Sequence, residues 1–351
     1  MGFKRYVIIR GFNATVTLII IAFLISVLFI GTLDQIIKAQ ILGEVQAYVR
    51  EHQREFAGMS PEEREQAIKE YENRLIKKYG LDQPIIIRIF IYTWRILTLD
   101  FGNAVRMRTA AGSQKVMDII IERLPRTVIL FTTAEIFVIL FGVFIGLRAA
   151  RQAGSSLDRG ISIFALITNS LPMWWFGMLM ILLFSYYLNL FPSGGFVSLP
   201  PPTDPLGIFL DFLWHLTLPL LTVFFISFGG FAYVVRNIVL ETLQEDFVMA
   251  ARAKGVPEHK VIYGHVLRTA APPIITMSLL GIVVSLSGAI ITETVFSWPG
   301  MGLAYWIAIE QGDVPVLLGL TYVTTIVFII AMVLADILYG ILDPRIRVGG
   351  G

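Results

Sequence analysis

Three carboxylates stand inside long apolar stretches of this chain: Glu135, Glu293 and Asp336. An acid at the centre of a bilayer costs about 2.5 to 3.5 kcal/mol on insertion scales, so each must be accounted for. Glu293 and Asp336 fall towards the ends of their runs, where the cost is relieved. Glu135 lies well inside its run, roughly 16 Å deep at the helical rise, and is expected to face a pore or a polar partner rather than lipid. The four histidines form no metal site by spacing: His259 and His265 share one loop, and His52 and His215 are isolated. Cysteine is absent, which excludes disulfides, thiolate chemistry and cysteine-ligated metals. No stretch follows the glycine, lysine and serine or threonine spacing that cradles nucleotide phosphates. The chain is therefore expected to carry no catalytic residue and no cofactor, with any ATP-Mg bound by partner subunits. An intramembrane protease would need a serine and histidine pair or two aspartates in one cavity. Neither pairing is evident, since His215 is the only histidine and Asp336 the only aspartate inside the expected spans.

The composition says what surrounds these acids. Of 351 residues, 56% are hydrophobic and 15% charged, against about 25% charged in soluble domains. The apolar residues gather in runs of spanning length at Gly11–Leu33, Leu124–Leu147, Ile161–Leu188, Phe212–Val235, Pro272–Phe296 and Val314–Leu342. The first follows Lys4, Arg5 and Arg10. It is too long for a signal-peptide core and ends at Asp34 without a cleavage-site pattern, so it reads as an anchor. Six spans put both termini on one side. Lys and Arg in short loops mark the cytoplasmic side: Arg148, Arg151 and Arg159, then Arg236, Arg252, Lys254, Lys260 and Arg268, then Arg345 and Arg347. The opposite short loops, Asn189–Asp211 and Ser297–Asp313, have none. Both termini are expected inside, in a multi-pass cell-membrane protein. A net charge of +2 gives no reason to expect nucleic acid as a partner.

Four regions follow: residues 1–33 with the first span, an extracytoplasmic segment over 34–123, a core of five spans over 124–342, and a tail over 343–351. In the outer segment, Ser60-Pro61-Glu62-Glu63 predicts a helix start, and the helix should run to about Lys78 and stop at Gly80. In the loop over 241–271, acids then bases predict an amphipathic helix from about Glu241 to Lys254, ended by Gly255-Val256-Pro257. Phe247 beside the small Ala250 and Ala251 would let another surface approach closely. An ordinary surface helix explains the same pattern.

The 245–272 segment, with Ala250, Ala251, Gly255, Leu267 and Pro272, resembles the cytoplasmic signature loop of ABC importer permeases of the dipeptide/oligopeptide branch. Met249 stands where that loop commonly has a glutamate. Tyr79-Gly80-Leu81-Asp82-Gln83-Pro84, Asp100-Phe101-Gly102 and Glu122-Arg123-Leu124-Pro125-Arg126-Thr127 are similar to the branch's outer segment and second-span entry. Glu293-Thr294-Val295-Phe296 with Pro299-Gly300-Met301-Gly302 is similar to its outer turn, and Asp343-Pro344-Arg345-Ile346-Arg347 to its ending. The stretch from about Gln35 to Lys77 matches less well and reads as an enlargement.

The resemblance implies an all-α integral membrane permease fold with six transmembrane helices and a helical insertion between the first two. It implies half of the translocation pore of an ATP-driven importer for peptides, oligosaccharides or metal chelates. The other half would come from a second homologous permease, with two ATP-binding-cassette ATPase subunits inside and a substrate-binding protein outside. Phe247, Ala250, Ala251, Gly255, Leu267 and Pro272 become the ATPase-coupling residues. Glu135, Pro172, Glu293, Pro299, Gly300 and Gly302 become pore or gate candidates. A secondary transporter or channel is the alternative class, for which mid-span acids beyond Glu135 would be expected.

Overall fold

The computed structural model describes residues 3–342, so the expected ending Asp343–Arg347 lies outside the described residues. The architecture is helical throughout, with no strand among the described residues and one isolated bridge between Asn103 and Lys115. In chain order the helices are α1 (Phe3–Glu51), α2 (Gln53–Ala57), α3 (Pro61–Tyr79), α4 (Ile85–Leu97), α5 (Val116–Arg151), α6 (Ser156–Ser170), α7 (Met173–Tyr187), α8 (Pro205–Thr242), α9 (Asp246–Ala253), α10 (Glu258–Ser285), α11 (Ile290–Val295), α12 (Met301–Gln311) and α13 (Val314–Leu342). Five of them, α1, α5, α8, α10 and α13, are long and apolar enough to cross a membrane. A bent pair, α6 and α7, brings the number to the six expected from the sequence.

That bend is 103°, and its cause is local. Leu171 precedes a proline, whose ring excludes the helical region for the residue before it, and Leu171 is extended at φ −102° and ψ 131°. Pro172 then starts the next helix. Pro219, by contrast, is carried inside the unbroken α8. Adjacent helices elsewhere in a membrane protein re-satisfy the carbonyl that a proline frees.

Several boundaries differ from the sequence expectation. The fifth span was expected over Pro272–Phe296, but its helix begins at Glu258, directly after Pro257, and ends at Ser285. It ends there because Gly288 takes φ +69° and Ala289 is extended, which separates Glu293 onto the short α11. The helix expected from Glu241 is likewise split: α8 runs on to Thr242, and an extended Glu245 at ψ 146° starts α9 afresh. The second span's helix begins at Val116, ahead of the apolar run, with Pro125 inside it.

By contacts the chain forms two units. Among the described residues, one comprises 3–12, 120–307 and 324–342. Within it α6 lies along α8, where added side chains at Gly229 and Gly230 would strike Phe164, Thr168 and Asn169. The other comprises residues 13–119 and 308–323. Here α3 has the capping box read from the sequence: Ser60 Oγ accepts from the Glu63 amide, the Glu63 carboxylate accepts from the Ser60 amide, and Gly80 closes the helix at φ +72°. Leu75 of α3 packs with Ile37, Ile41 and Val45 of α1 and Tyr92 of α4. The buried Asp313 carboxylate accepts from the amides of Val105, Arg106 and Met107 at 3.1, 2.8 and 3.1 Å, tying that loop to the start of α13.

Candidate functional site

The eight-residue α9 is held by one edge. Val248 is fully buried and joins a core of Leu147, Ala150, Val235, Val239, Val261, Ile262 and Val266, drawn from α5, α8 and α10. Ala251, one turn on, packs against the same core. The other side of the helix is open: Phe247 is 38% exposed, Met249 55%, and Ala250 is exposed too. The sequence grouped Ala250 with Ala251, and the structure separates them, one facing out and the other partly inward.

The exit from α9 is fixed by backbone chemistry. Gly255 takes φ +74°, the left-handed conformation that glycine adopts without a Cβ penalty. Its amide donates to Arg252 O at 2.9 Å and the Val256 amide donates to Ala251 O at 3.2 Å. This pair of bonds satisfies the last carbonyls of the helix. Arg252 then reaches over the turn to Glu258 with two bonds, of 2.7 and 3.2 Å, and the Glu258 carboxylate holds the guanidinium pKa above its ordinary value. Both side chains are about half exposed, so the pair orients the turn more than it stabilises it. Leu267 and Pro272, also expected here, lie further along α10 and are half-buried.

The Pro299–Gly302 turn is part of a closed knot. The fully buried Glu293 accepts from Thr127 Oγ1 at 2.9 Å and from the Leu303 amide at 3.1 Å, while Thr127 Oγ1 accepts from the Met301 amide at 2.7 Å. The acid and the hydroxyl thus take up the first amides of α12, which have no partner within that helix. Gly300 and Gly302 are required by proximity. A Cβ on Gly300 would sit 2.4 Å from both Glu293 Oε2 and Thr127 Oγ1, and one on Gly302 would sit 2.9 Å from Ile290 Cα. Trp298 is buried, donates from Nε1 to Arg126 O at 3.0 Å and meets the Phe196 ring edge-on at 5.2 Å. The Arg126 guanidinium lies 4.7 Å from the Phe196 centroid and donates to Pro299 O at 3.4 Å.

The other sequence candidates are dispersed. Glu135, half-buried on α5, lies against the backbone of α10, where a Cβ on Gly281 would fall 2.0 Å from its Oε1. Pro172 is at the α6–α7 bend. Asp336 pairs with Arg10 at 3.2 Å. Sequence reading passed over Asp158 and counted Arg236 only as a loop charge, yet the two make a two-pronged ion pair at 2.7 and 3.0 Å. It missed Asp158 because the apolar run starts at Ile161, whereas α6 starts at Ser156 with Ser155 capping the Asp158 amide. The Ser155-x-x-Asp158 spacing was the available signal. Asp336 is accordingly not the only aspartate on these helices, since Asp158 opens α6 and Asp211 lies in α8.

Comparisons with known proteins bear on what this arrangement serves. Residues 142–348 match the family described as binding-protein-dependent transport system inner membrane component. The chain is 31% identical over 274 residues to the oligopeptide transport system permease protein AppB of Bacillus subtilis, covering 78% of this chain and 84% of that one. It is 33% identical over 307 residues to the dipeptide transport system permease protein DppB of Escherichia coli K12, covering 83% and 87%. Among solved structures, the MetNI methionine ABC transporter in inward-facing conformations is similar with a TM-score of 0.52 and 16% identity, over 66% of this chain and 99% of that one, a likeness of fold. A match over more than half of the chain, together with relatives above 30% identity along most of both lengths, makes this protein a member of the binding-protein-dependent transport family, a multi-pass permease subunit of the ABC importers.

Proposed function

We propose that this permease conducts short peptides and couples their passage to ATP through α9. The observation that carries the coupling is the one-sided burial of this helix: Val248 is sealed into the chain's own core while Phe247, Met249 and Ala250 are left bare on a helix whose exit is fixed by Gly255. A short, rigidly anchored helix with one unpartnered face suits a groove on an ATPase subunit. Closure of two such subunits around ATP-Mg would move α9, and with it α8 and α10, to which its buried edge is joined. The chain itself has no nucleotide-phosphate loop, so hydrolysis belongs to the separate ATPase subunits, and the chain needs no cofactor.

The pore is completed by a second homologous permease, and a substrate-binding protein delivers solute from outside. The word "binding-protein-dependent" in the family's description supports that partner. The relatives' names favour peptides over oligosaccharides or metal chelates as cargo. The orientation follows from lysine and arginine: both termini and α9 on the cytoplasmic side, Asp34–Arg123 and the Pro299–Gly302 turn outside.

The test uses the absence of cysteine. A cysteine at Ala250 in the full chain should cross-link to the co-purifying ATPase and should be shielded from an impermeant thiol reagent in intact cells, whereas one at Ser60 should be labelled from outside. Labelling of Ala250→Cys from outside, or no cross-link to any ATPase, would refute the coupling reading. Uptake of di- and oligopeptides by cells carrying the complete transporter, compared with uptake of oligosaccharides, tests the cargo.

A further inference from the structure

Helix α4 has two chemically opposed faces. Arg88, Tyr92, Arg95 and Ile96 lie on one, and all are engaged: Arg88 pairs with Asp34 at 3.1 Å, Tyr92 Oη donates to Asp34 at 2.7 Å, Arg95 pairs with Asp100 at 3.0 Å, and Ile96 is buried. Ile86, Phe90 and Trp94, four residues apart and so on one stripe, lie on the other. They are 65%, 60% and 68% exposed.

The position of the helix on α1 gives these faces a meaning. Its polar face is fixed at Asp34, the first charged residue after the apolar run that ends at Leu33. Its aromatic face reaches back along the run, with the Phe90 ring 6.0 Å from that of Phe23. Asp34 and Phe23 are roughly 16 Å apart along a helix rising 1.5 Å per residue. The charged and apolar faces of α4 therefore lie at two levels of the same span, one at its polar end and the other within its hydrocarbon length. Between Phe90, Thr93, Trp94 and Leu97 on α4 and Ile19, Ile20 and Phe23 on α1 runs an apolar groove. The α1 residues of this groove are 45%, 50% and 36% exposed, on a helix that crosses the bilayer. The bare stripe of α4 continues that lipid-facing surface without a polar break.

We propose that α4 is an interfacial helix, seated with Ile86, Phe90 and Trp94 among the acyl chains of the leaflet next to Leu33, and that the α1–α4 groove receives a lipid chain. Its charged face lies level with the headgroups, the arrangement that stabilises amphipathic helices lying in a membrane surface. The occupant is lipid rather than protein because the groove opens onto the flank of a spanning helix and carries no charged side chain. The base of the outer segment is thereby fixed to the membrane plane, which leaves α3 as its soluble part.

The experiment places single cysteines at Phe90 and, separately, at Ile86 in the full chain, co-purified with its partner subunits and reconstituted in phosphatidylcholine vesicles. Each carries an environment-sensitive fluorophore, with Glu65→Cys on α3 as the aqueous control. Doxyl groups on the lipid chains should remove most of the emission at both α4 positions and leave the control unchanged, and iodide should do the reverse. Quenching by iodide at α4 equal to that at Glu65→Cys would overturn the proposal, because the stripe would be in water. Shielding from both quenchers would overturn it as well, because a protein surface would then cover the stripe.

Discussion

The Asp158 carboxylate grips Arg236 through both oxygens, and it does so from the first turn of α6 onto the C-terminal part of α8. Asp158 also accepts from the Gly154 amide at 2.8 Å, so the charge is satisfied from two sides. Asp158 is buried and Arg236 half-buried, so removing one member should cost less than the ~3 to 5 kcal/mol typical of a fully buried pair. Asp158→Ala should still lower the melting temperature of the detergent-solubilised protein, and Asp158→Leu combined with Arg236→Met should regain most of the loss. A double variant no more stable than the single one would mean that the pair does not join the helices.

The exposed and buried sides of α9 make opposite predictions for two neighbouring alanines. Ala250→Trp adds bulk on the bare side, so the isolated chain should keep its stability while ATPase association and uptake fall. Ala251→Trp pushes into the core around Val248, and overpacking of that kind costs about 1 to 3 kcal/mol. It should destabilise the chain even without partners. Thermal unfolding of the isolated chain, set beside ATPase co-purification, distinguishes the two. Equal behaviour of both variants would contradict the geometry of α9. Gly255→Val stands apart from both: space is open around Gly255 but φ is +74°, so a β-branched residue there should lower the stability of the isolated chain through backbone strain rather than overpacking. Its strain of roughly 1 to 3 kcal/mol falls on the helix exit.

Much of this was legible in the sequence, and the failures have two physical causes. The α3 cap and the Gly255 stop are local hydrogen-bonding patterns among near neighbours, which residue types alone determine. The spans announced themselves by composition. Hydropathy, however, says where a chain is apolar and not where its helix starts. Asp158, Asp211 and Glu258 therefore fell outside runs whose helices include them. The knot at Glu293 was invisible for another reason. Thr127, Gly288 and Leu303 meet this acid only through tertiary packing, and the apolar pattern runs straight through the Gly288 break that sets α11 apart.

The glycines of the knot predict a graded response. An alanine at Gly302 would press on Ile290 Cα at 2.9 Å and on Ala289 C at 3.0 Å, backbone atoms that cannot rotate away. Gly302→Ala should destabilise by the ~1 to 3 kcal/mol of an overpacked site. Gly43, inside α1, has open space around it. Gly43→Ala should instead gain about 0.5 to 1 kcal/mol of helix stability. Unfolding curves in detergent read both signs, and a neutral Gly302→Ala would show that the turn is loose.

Glu135 and Gly281 supply the last prediction, because each explains the other. A carboxylate deep in a span is costly on a lipid-facing side, and this one lies instead against α10, where the missing side chain of Gly281 makes room for it. If the acid serves only to fill that space, Glu135→Leu should leave both stability and uptake as they were. If it serves passage of cargo or movement between α5 and α10, Glu135→Leu should insert and fold normally, with unchanged or higher melting temperature, and lose uptake. Gly281→Ala places a methyl 2.0 Å from the present position of Oε1 and must drive the carboxylate elsewhere. It should therefore reproduce the uptake defect with the acid still in the chain. Residues acting through one contact are not additive, so the double variant should be no worse than the poorer single one. Uptake by reconstituted transporter, measured for the two single variants and the double, decides the matter. Additive losses would show that Glu135 and Gly281 act separately, and normal uptake in Glu135→Leu would remove this acid from the transport path altogether.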